Sequence, residues 1–298
     1  MALTFEQYAE NQVALFDGFL NSHLKKFRGV CSKQFSPLID AMSYSLEGGG
    51  KRLRPLLMTA SAEAIGIKAE EILPAACALE FIHTYSLIHD DLPALDDDDT
   101  RRGKPSSHKR FGEAVAILAG DALLTEAFGL MASLPKGGRF SPANSLSALE
   151  LLVQTSGVRG MVGGQLLDVT AVDAHFSHPE VEFIHIHKTG ALILCAVLMP
   201  TRLIPMEEKQ IQRLKRYGES LGLAFQISDD LLDSETSFRY SRGPRKKPKP
   251  TYADFMTATE MKERMNALID LAVESVTSDG FKGEALVAIA EFIRRRKN

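Results

Sequence analysis

Cysteine is scarce: three residues, Cys31, Cys77 and Cys195, in a chain of 298. That is too few and too scattered for a disulfide framework or a zinc site, and a reducing cytosol fits. The first residues lack the basic region and apolar run of a secretory leader, and no stretch reads as the roughly 18 apolar residues of a membrane span. The expectation is a cytoplasmic protein with no membrane insertion. Alternating apolar and polar runs bounded by hairpin turns are missing as well, which argues against a β protein. Neither sign of charge dominates, with a net charge of −3 and a pI near 6.3, so no nucleic acid or anionic membrane is expected as a partner. Length alone allows two domains of roughly 100 to 200 residues. No linker divides the chain and no repeat is detectable, so one domain spanning 1–298 is expected.

What the chain does have is helical period almost throughout. Thr4 and Gln7 form a capping-box pattern ahead of a stripe from Phe5 and Tyr8 to Phe19. Ser36-Pro37 marks a helix start and Gly48 to Gly50 a stop. A long element runs from about Pro74 to Leu92, with Cys77, Phe81, Tyr85 and Ile88 on one face, and Pro93 ends it. Further helical stretches cover Glu113 to Leu134, Pro142 to Val169, the residues after Pro205, and a final segment carrying Leu286, Ile289 and Ile293. The fold class is all-α, a bundle of roughly ten helices. Residues 239–250 combine prolines and cations with almost nothing apolar, and the basic segment 234–250 is expected to be a mobile loop.

Two helices end in dense carboxylates. The first cluster is Asp90-Asp91-Leu-Pro-Ala-Leu-Asp96, continuing through Asp99; the second is Asp229, Asp230 and Asp233. A lone acidic run is usually a solvated face. Here each cluster ends an apolar segment and has basic company, with Arg101-Arg102-Gly-Lys104 after the first and Lys51-Arg52-Leu-Arg54 upstream. Carboxylates this close repel unless a cation lies between them, and hard magnesium with oxygen ligands is the usual solution. Metal and guanidinium together would hold a diphosphate.

The motifs, in this order, resemble bacterial farnesyl diphosphate synthases of the short-chain trans-prenyltransferase family: Gly-Gly-Lys51-Arg-Leu-Arg54-Pro, Asp90 to Pro105, His185-Ile-His-Lys188-Thr189-Gly190, and Phe225-Gln226-Ile-Ser-Asp229-Asp230-Leu-Leu-Asp233. The likeness covers about residues 30 to 297. It implies the isoprenoid synthase fold around a central active-site cavity, a homodimer, and condensation of isopentenyl diphosphate with allylic diphosphates. It also implies that Asp90, Asp91 and Asp96 hold two magnesium ions and that Asp229, with Asp230 and Asp233, holds a third. Lys51, Arg54, His83 and Arg102 would bind isopentenyl diphosphate; Arg101, Lys188 and Lys249 or a neighbour would bind the allylic diphosphate; Thr189 and Gln226 would lie along the cation's path. Gly163-Gly164-Gln165 with Asp168 resembles a family segment beside the site, and tight helix packing is an equal reading.

Tyr85 lies five residues before Asp90, about 7.5 Å down the helix axis. With the small Ser86 beside it, the ring would stop a growing chain, and by resemblance this favours fifteen carbons over twenty. After Asp233 the family's glycine-lysine-rich lid is replaced by the basic segment, of which only Lys249-Pro-Thr251-Tyr252 matches. Other readings stay open: a geranyl or geranylgeranyl diphosphate synthase, a terpene cyclase, a phosphohydrolase using His89-Asp90, or an inactive regulatory subunit of a prenyl synthase.

Overall fold

The computed structural model describes residues 3–170, 177–235, 251–277 and 281–296. Its helices are α1 (Phe5–Val30), α2 (Ser36–Leu46), α3 (Leu53–Ala64), α4 (Ala69–Asp90), α5 (Ser107–Phe111), α6 (Glu113–Ser133) and α7 (Pro142–Ser156). They continue with α8 (Met161–Thr170), α9 (His178–His185), α10 (Ala191–Leu198), α11 (Glu208–Glu235), α12 (Ala258–Val276) and α13 (Glu284–Arg295). The expected all-α class holds, and the Thr4–Gln7 capping box that starts α1 is formed. The core is one cluster running from Phe16 and Leu20 of α1 to Ile289 and Ile293 of α13. Cys77, Phe81, Tyr85 and Ile88 all face into it.

Local departures from the sequence reading have physical causes. Helix α4 begins at Ala69, so Pro74 lies inside it, in the second turn, where its missing N–H forfeits one hydrogen bond to Glu70 C=O. The stretch expected as one helix from Pro142 to Val169 is two, broken at Gly157 and Gly160, with the Gly157 N–H capping Val153 C=O. Residues Thr100–Arg101 and Lys104–Pro105 pair as a minimal antiparallel hairpin. Its turn, Arg102-Gly103, has positive φ at both positions, as a tight primed turn requires.

Between α9 and α10 the chain stays helical but widens into a π turn over Ile186–Gly190, and such turns often mark functional positions. Contrary to the sequence expectation, two stretches, Glu113–Gly137 and His178–Leu198, are long and apolar enough to cross a bilayer by length and composition. Both contribute buried residues to the core, but less than half of either stretch is buried, and Ile117, Leu118, Phe183 and Ile186 are exposed apolar residues on them.

Candidate active site

Helices α4 and α11 bring the two acidic clusters to one end of the bundle. Helix α4 stops at Asp90, and Pro93 lies in the turn that follows. That turn folds back so that the Asp96 N–H donates to Asp90 C=O at 2.8 Å and the Asp98 N–H to Asp91 C=O at 3.1 Å. The two acids of the leading pair part company there. Asp90 lines a cavity of 230 Å³ with Tyr85, Ser86, Gln165, Lys188 and Thr189. Asp91 is buried and accepts from the Arg101 guanidinium, 2.9 Å from Nε and closer still from Nη2. Burial works against the Arg101 charge, but Asp91 and then Asp98 outweigh it and hold that pKa above its ordinary value.

A second cavity of 710 Å³ adjoins the first, sharing Arg54, His83, Leu87 and Thr189 with it. It collects Lys51, Arg101, Arg102, Gln226 and Asp229 from positions spread over more than half the chain. Several cations converge here, and they depress one another. Burial lowers the Lys51 ammonium first, with Arg296 adding to it. Burial also lowers the Arg54 guanidinium and holds His83 far below 6.5, with Arg54, Arg102, Arg101 and Arg52 reinforcing the effect. The result is a neutral imidazole beside several fixed positive charges, a suitable wall for a polyanion.

Local backbone geometry holds these cations in place. Arg52 (φ 50°) and Arg102 (φ 52°) occupy the left-handed region, unusual for non-glycine residues. The buried Arg52 side chain is held by Glu80 at 3.1 Å, Asp17 at 3.2 Å and Leu46 C=O at 2.8 Å. This anchors the loop between Lys51 and Arg54. Arg102 Nη1 donates to Gly49 C=O, and the neighbouring Gly50 has φ +139°, a backbone conformation that strains any residue with a Cβ. On the opposite wall, a Cβ on Gly164 of α8 would lie 2.3 Å from the Lys188 backbone nitrogen. The small residue lets α8 press against the π turn, where Lys188 Nζ donates to Asp168 at 2.6 Å. Both polar atoms of the Gln165 amide are buried there without a hydrogen-bond partner.

In the second cluster Asp229 faces the large cavity, where Arg296 from the end of α13 donates to its Oδ1 at 2.5 Å. Burial pushes the Asp229 carboxyl up and Arg296 opposes it. Asp230 is buried and accepts the Tyr252 N–H at 2.8 Å. Asp96, Asp230 and Asp233 do not line either cavity, and Lys249 lies outside the described residues, as does most of the basic segment 234–250. His89, suggested as half of a phosphohydrolase dyad, points Nε2 at Ile117 C=O, 3.1 Å away.

Residues the sequence reading did not single out include Arg296, Phe225 and Phe292 on the cavity wall. Arg296 lies 4.9 Å from the Phe225 ring centroid and Lys51 Nζ 5.2 Å from that of Phe292. The run Arg294 to Lys297 was the sequence signal for Arg296, legible only as a charged helix end, and Phe225 heads the motif that leads to Asp229.

All-oxygen carboxylate donors facing a cavity suit a hard divalent ion, and the guanidinium on Asp229 shows that this position accepts a cation. Among the described residues, a tight trio of donor atoms, within 4.8 Å of one another, is formed by Asp97, Asp99 and His108.

Comparison with known proteins agrees with this geometry. A family model described as "Polyprenyl synthetase" matches residues 36–256. The farnesyl diphosphate synthase of Geobacillus stearothermophilus is 39% identical over 298 residues, covering 99% of this chain and 98% of that protein. The geranylgeranyl diphosphate synthase of Cyanophora paradoxa is 44% identical over 267 residues, 88% of each chain. The solved apo structure of an FPP/GFPP synthase from Zymomonas mobilis superposes with a TM-score of 0.86 at 34% identity, covering 97% of this chain and 98% of that one. Motif order, helical architecture and full-length similarity thus lead to one assignment: the chain belongs to the polyprenyl synthetase family.

Proposed function

We propose that the protein is a magnesium-dependent trans-prenyltransferase. It joins isopentenyl diphosphate to dimethylallyl and then geranyl diphosphate, giving farnesyl diphosphate and releasing pyrophosphate. The carrying observation is the pair of adjoining cavities, one lined by Asp90 and Lys188 and the other by Lys51 and Arg102, with Arg54 and His83 on the wall they share. Two diphosphates need two such subsites, whereas a terpene cyclase has no use for the second.

Asp90 and Asp96 on one side and Asp229 with Asp233 on the other would hold about three magnesium ions with diphosphate bound, supplying the positive charge that lets the allylic diphosphate depart. Lys188 and Arg101 bind and orient that diphosphate. Lys51, Arg54 and Arg102 hold isopentenyl diphosphate, with the neutral His83 offering a hydrogen bond instead of a charge. Thr189, shared by both cavities, and Gln226 lie where the two chains meet. The allylic carbon bonds to the alkene terminus, the C–O bond to diphosphate breaks, and the proton lost from the alkene goes to pyrophosphate. No side-chain base is required.

Chain length rests on Tyr85, a buried residue lining the smaller cavity, whose ring packs edge-on to His89 at 5.7 Å. The main rival is a sister synthase with a different product, a reading kept in view by the geranylgeranyl synthase among the relatives. A homodimer belongs to the same proposal, supported by the exposed Ile117, Leu118, Leu146, Val153 and Leu166 on the neighbouring helices α6, α7 and α8, and so does a cytoplasmic location. The test is incubation of the purified protein with isopentenyl and dimethylallyl diphosphates, with and without magnesium. A C15 diphosphate made only with metal is expected. A C10 or C20 product transfers the assignment to the sister activity, and no condensation overturns it.

A further inference from the structure

We propose that Asp230 is a positioning residue and not a metal ligand: it fixes Tyr252, and through Tyr252 the helix that aims Lys188 and Thr189. Successive helical residues point about 100° apart, so Asp229 and Asp230 cannot share one direction. Asp229 faces the large cavity. Asp230 is 7% exposed and its Oδ2 takes the Tyr252 N–H at 2.8 Å.

The chemistry at Tyr252 explains why a carboxylate stands there. Tyr252 opens the single 3₁₀ turn Tyr252–Asp254, capped by Thr251 in a capping box with Asp254. The first N–H of such a turn has no partner within it. Tyr252 is completely buried, so that N–H must find an acceptor in the interior, and an ionised carboxylate is the strongest available.

Tyr252 in turn braces the wall of the active site. Its ring lies edge-on to His185 at 5.2 Å and to His178 at 5.5 Å, both on α9. Its hydroxyl reaches Glu182 of the same helix at 3.4 Å, and Glu182 is gripped by Arg264 of α12 at 2.6 Å. Helix α9 runs without a break into the π turn that carries Lys188 and Thr189. A path of direct contacts therefore leads from Asp230 to the residues against the allylic diphosphate. If Asp230 swung Oδ2 away from Tyr252 to face a metal, the buried Tyr252 N–H would be stranded and this brace released.

Asparagine separates the two roles, because its amide oxygen still accepts a hydrogen bond while its neutral side chain is a poor ligand for magnesium. Asp230→Asn and Asp230→Ala are compared with Asp229→Asn in the full-length protein. Hydrogen exchange at the Tyr252 amide is followed without substrate, and the Michaelis constant for the allylic diphosphate and the half-saturating magnesium concentration are measured by turnover. In D230A, amide protection falls and the allylic Michaelis constant rises, each about tenfold, as expected for loss of one buried charge-assisted hydrogen bond. D230N stays within about threefold of the parent in amide protection and magnesium requirement. D229N raises the magnesium requirement and leaves Tyr252 protected.

A D230N magnesium requirement raised as far as that of D229N overturns the proposal, as does unchanged Tyr252 exchange in D230A. Should D230A not fold, D230N alone decides by the first criterion. The kinetic arm rests on the prenyltransferase reading, but the exchange arm does not. A protein that makes no prenyl product yet exposes Tyr252 in D230A would sink the function and spare the brace.

Discussion

The Asp90-Asp91 and Asp229-Asp230 pairs follow one plan with different partners. In each, the leading aspartate faces a cavity and the second is committed inward. Asp91 takes a guanidinium from the hairpin ten residues on, and Asp230 takes a backbone N–H 22 residues on. The first pair stands at the C-terminal end of α4, where the macrodipole disfavours negative charge by about 0.3–1 kcal/mol per group, whereas the second lies more than a turn before the described end of α11. Carboxylates that lower helix stability at the end of α4 imply a cation to offset them.

The comparison breaks most visibly if the two outward acids are unequal. Asp90→Asn and Asp229→Asn should each lower kcat/KM by about a thousandfold, on the order of 4 kcal/mol of transition-state stabilisation, read by product formation at saturating magnesium. A loss confined to D90N would make the second cluster an accessory. Next comes the partner of the inward acid. Arg101→Lys keeps the charge but loses the fork that grips Asp91, and kcat/KM for the allylic substrate should fall about thirtyfold. The same change at Arg296, which meets Asp229 through Nη1, should cost about threefold or less, because one point charge replaces another. Equal losses would erase the distinction between inward and outward partners.

The third prediction sharpens the first pair alone. Tyr85 lies behind Asp90 on α4, so Tyr85→Ala should extend the product beyond fifteen carbons while kcat/KM for dimethylallyl diphosphate changes by no more than about threefold, since no diphosphate contact is lost. Chromatography of the dephosphorylated products reads the outcome. An unchanged length would leave Tyr85 without a role in specificity.

How much of this was legible in the sequence follows the range of the interactions. The acidic clusters, the cap of α1, the Pro37 start of α2 and the apolar faces of α4, α11 and α13 are written within one or two turns of chain, where helical period and capping act. The break between α7 and α8 was hidden because apolar period runs on through Gly157 and Gly160. The π turn was hidden because its extra residue is invisible to a 3.6-residue count. The two-residue hairpin carrying Arg101 is too short for any strand pattern. Arg296 meets Asp229 across 67 residues, and only the packing of α13 against α11 and α3 brings that charge run into the cavity. Asp229 and Asp230 look alike in sequence because the feature that separates them, a buried backbone N–H at Tyr252, has no side-chain signature.

The smallest expected effect tests the brace behind the second pair through pH. His185, on the last turn of α9, packs against Tyr252, and its Nδ1 is buried without a hydrogen-bond partner. Burial pulls its pKa down from 6.5 to about 4, with Asp168 opposing the shift and Lys188 adding to it. The folded state therefore binds the proton more weakly than the unfolded chain does. Stability is full above pH 6.5 and drains away as the pH falls toward 4, by at most about 3 kcal/mol from this one group. Other acids titrate in the lower part of that window, so the informative quantity is the difference between proteins. His185→Phe keeps an apolar ring against Tyr252 and has no proton to take up. Its melting temperature should decline less steeply than the parent's between pH 6.5 and 4, by a few degrees over the range. Parallel declines would mean that His185 is solvated, and that α9 is held in place by Glu182 and Arg264 rather than by Tyr252.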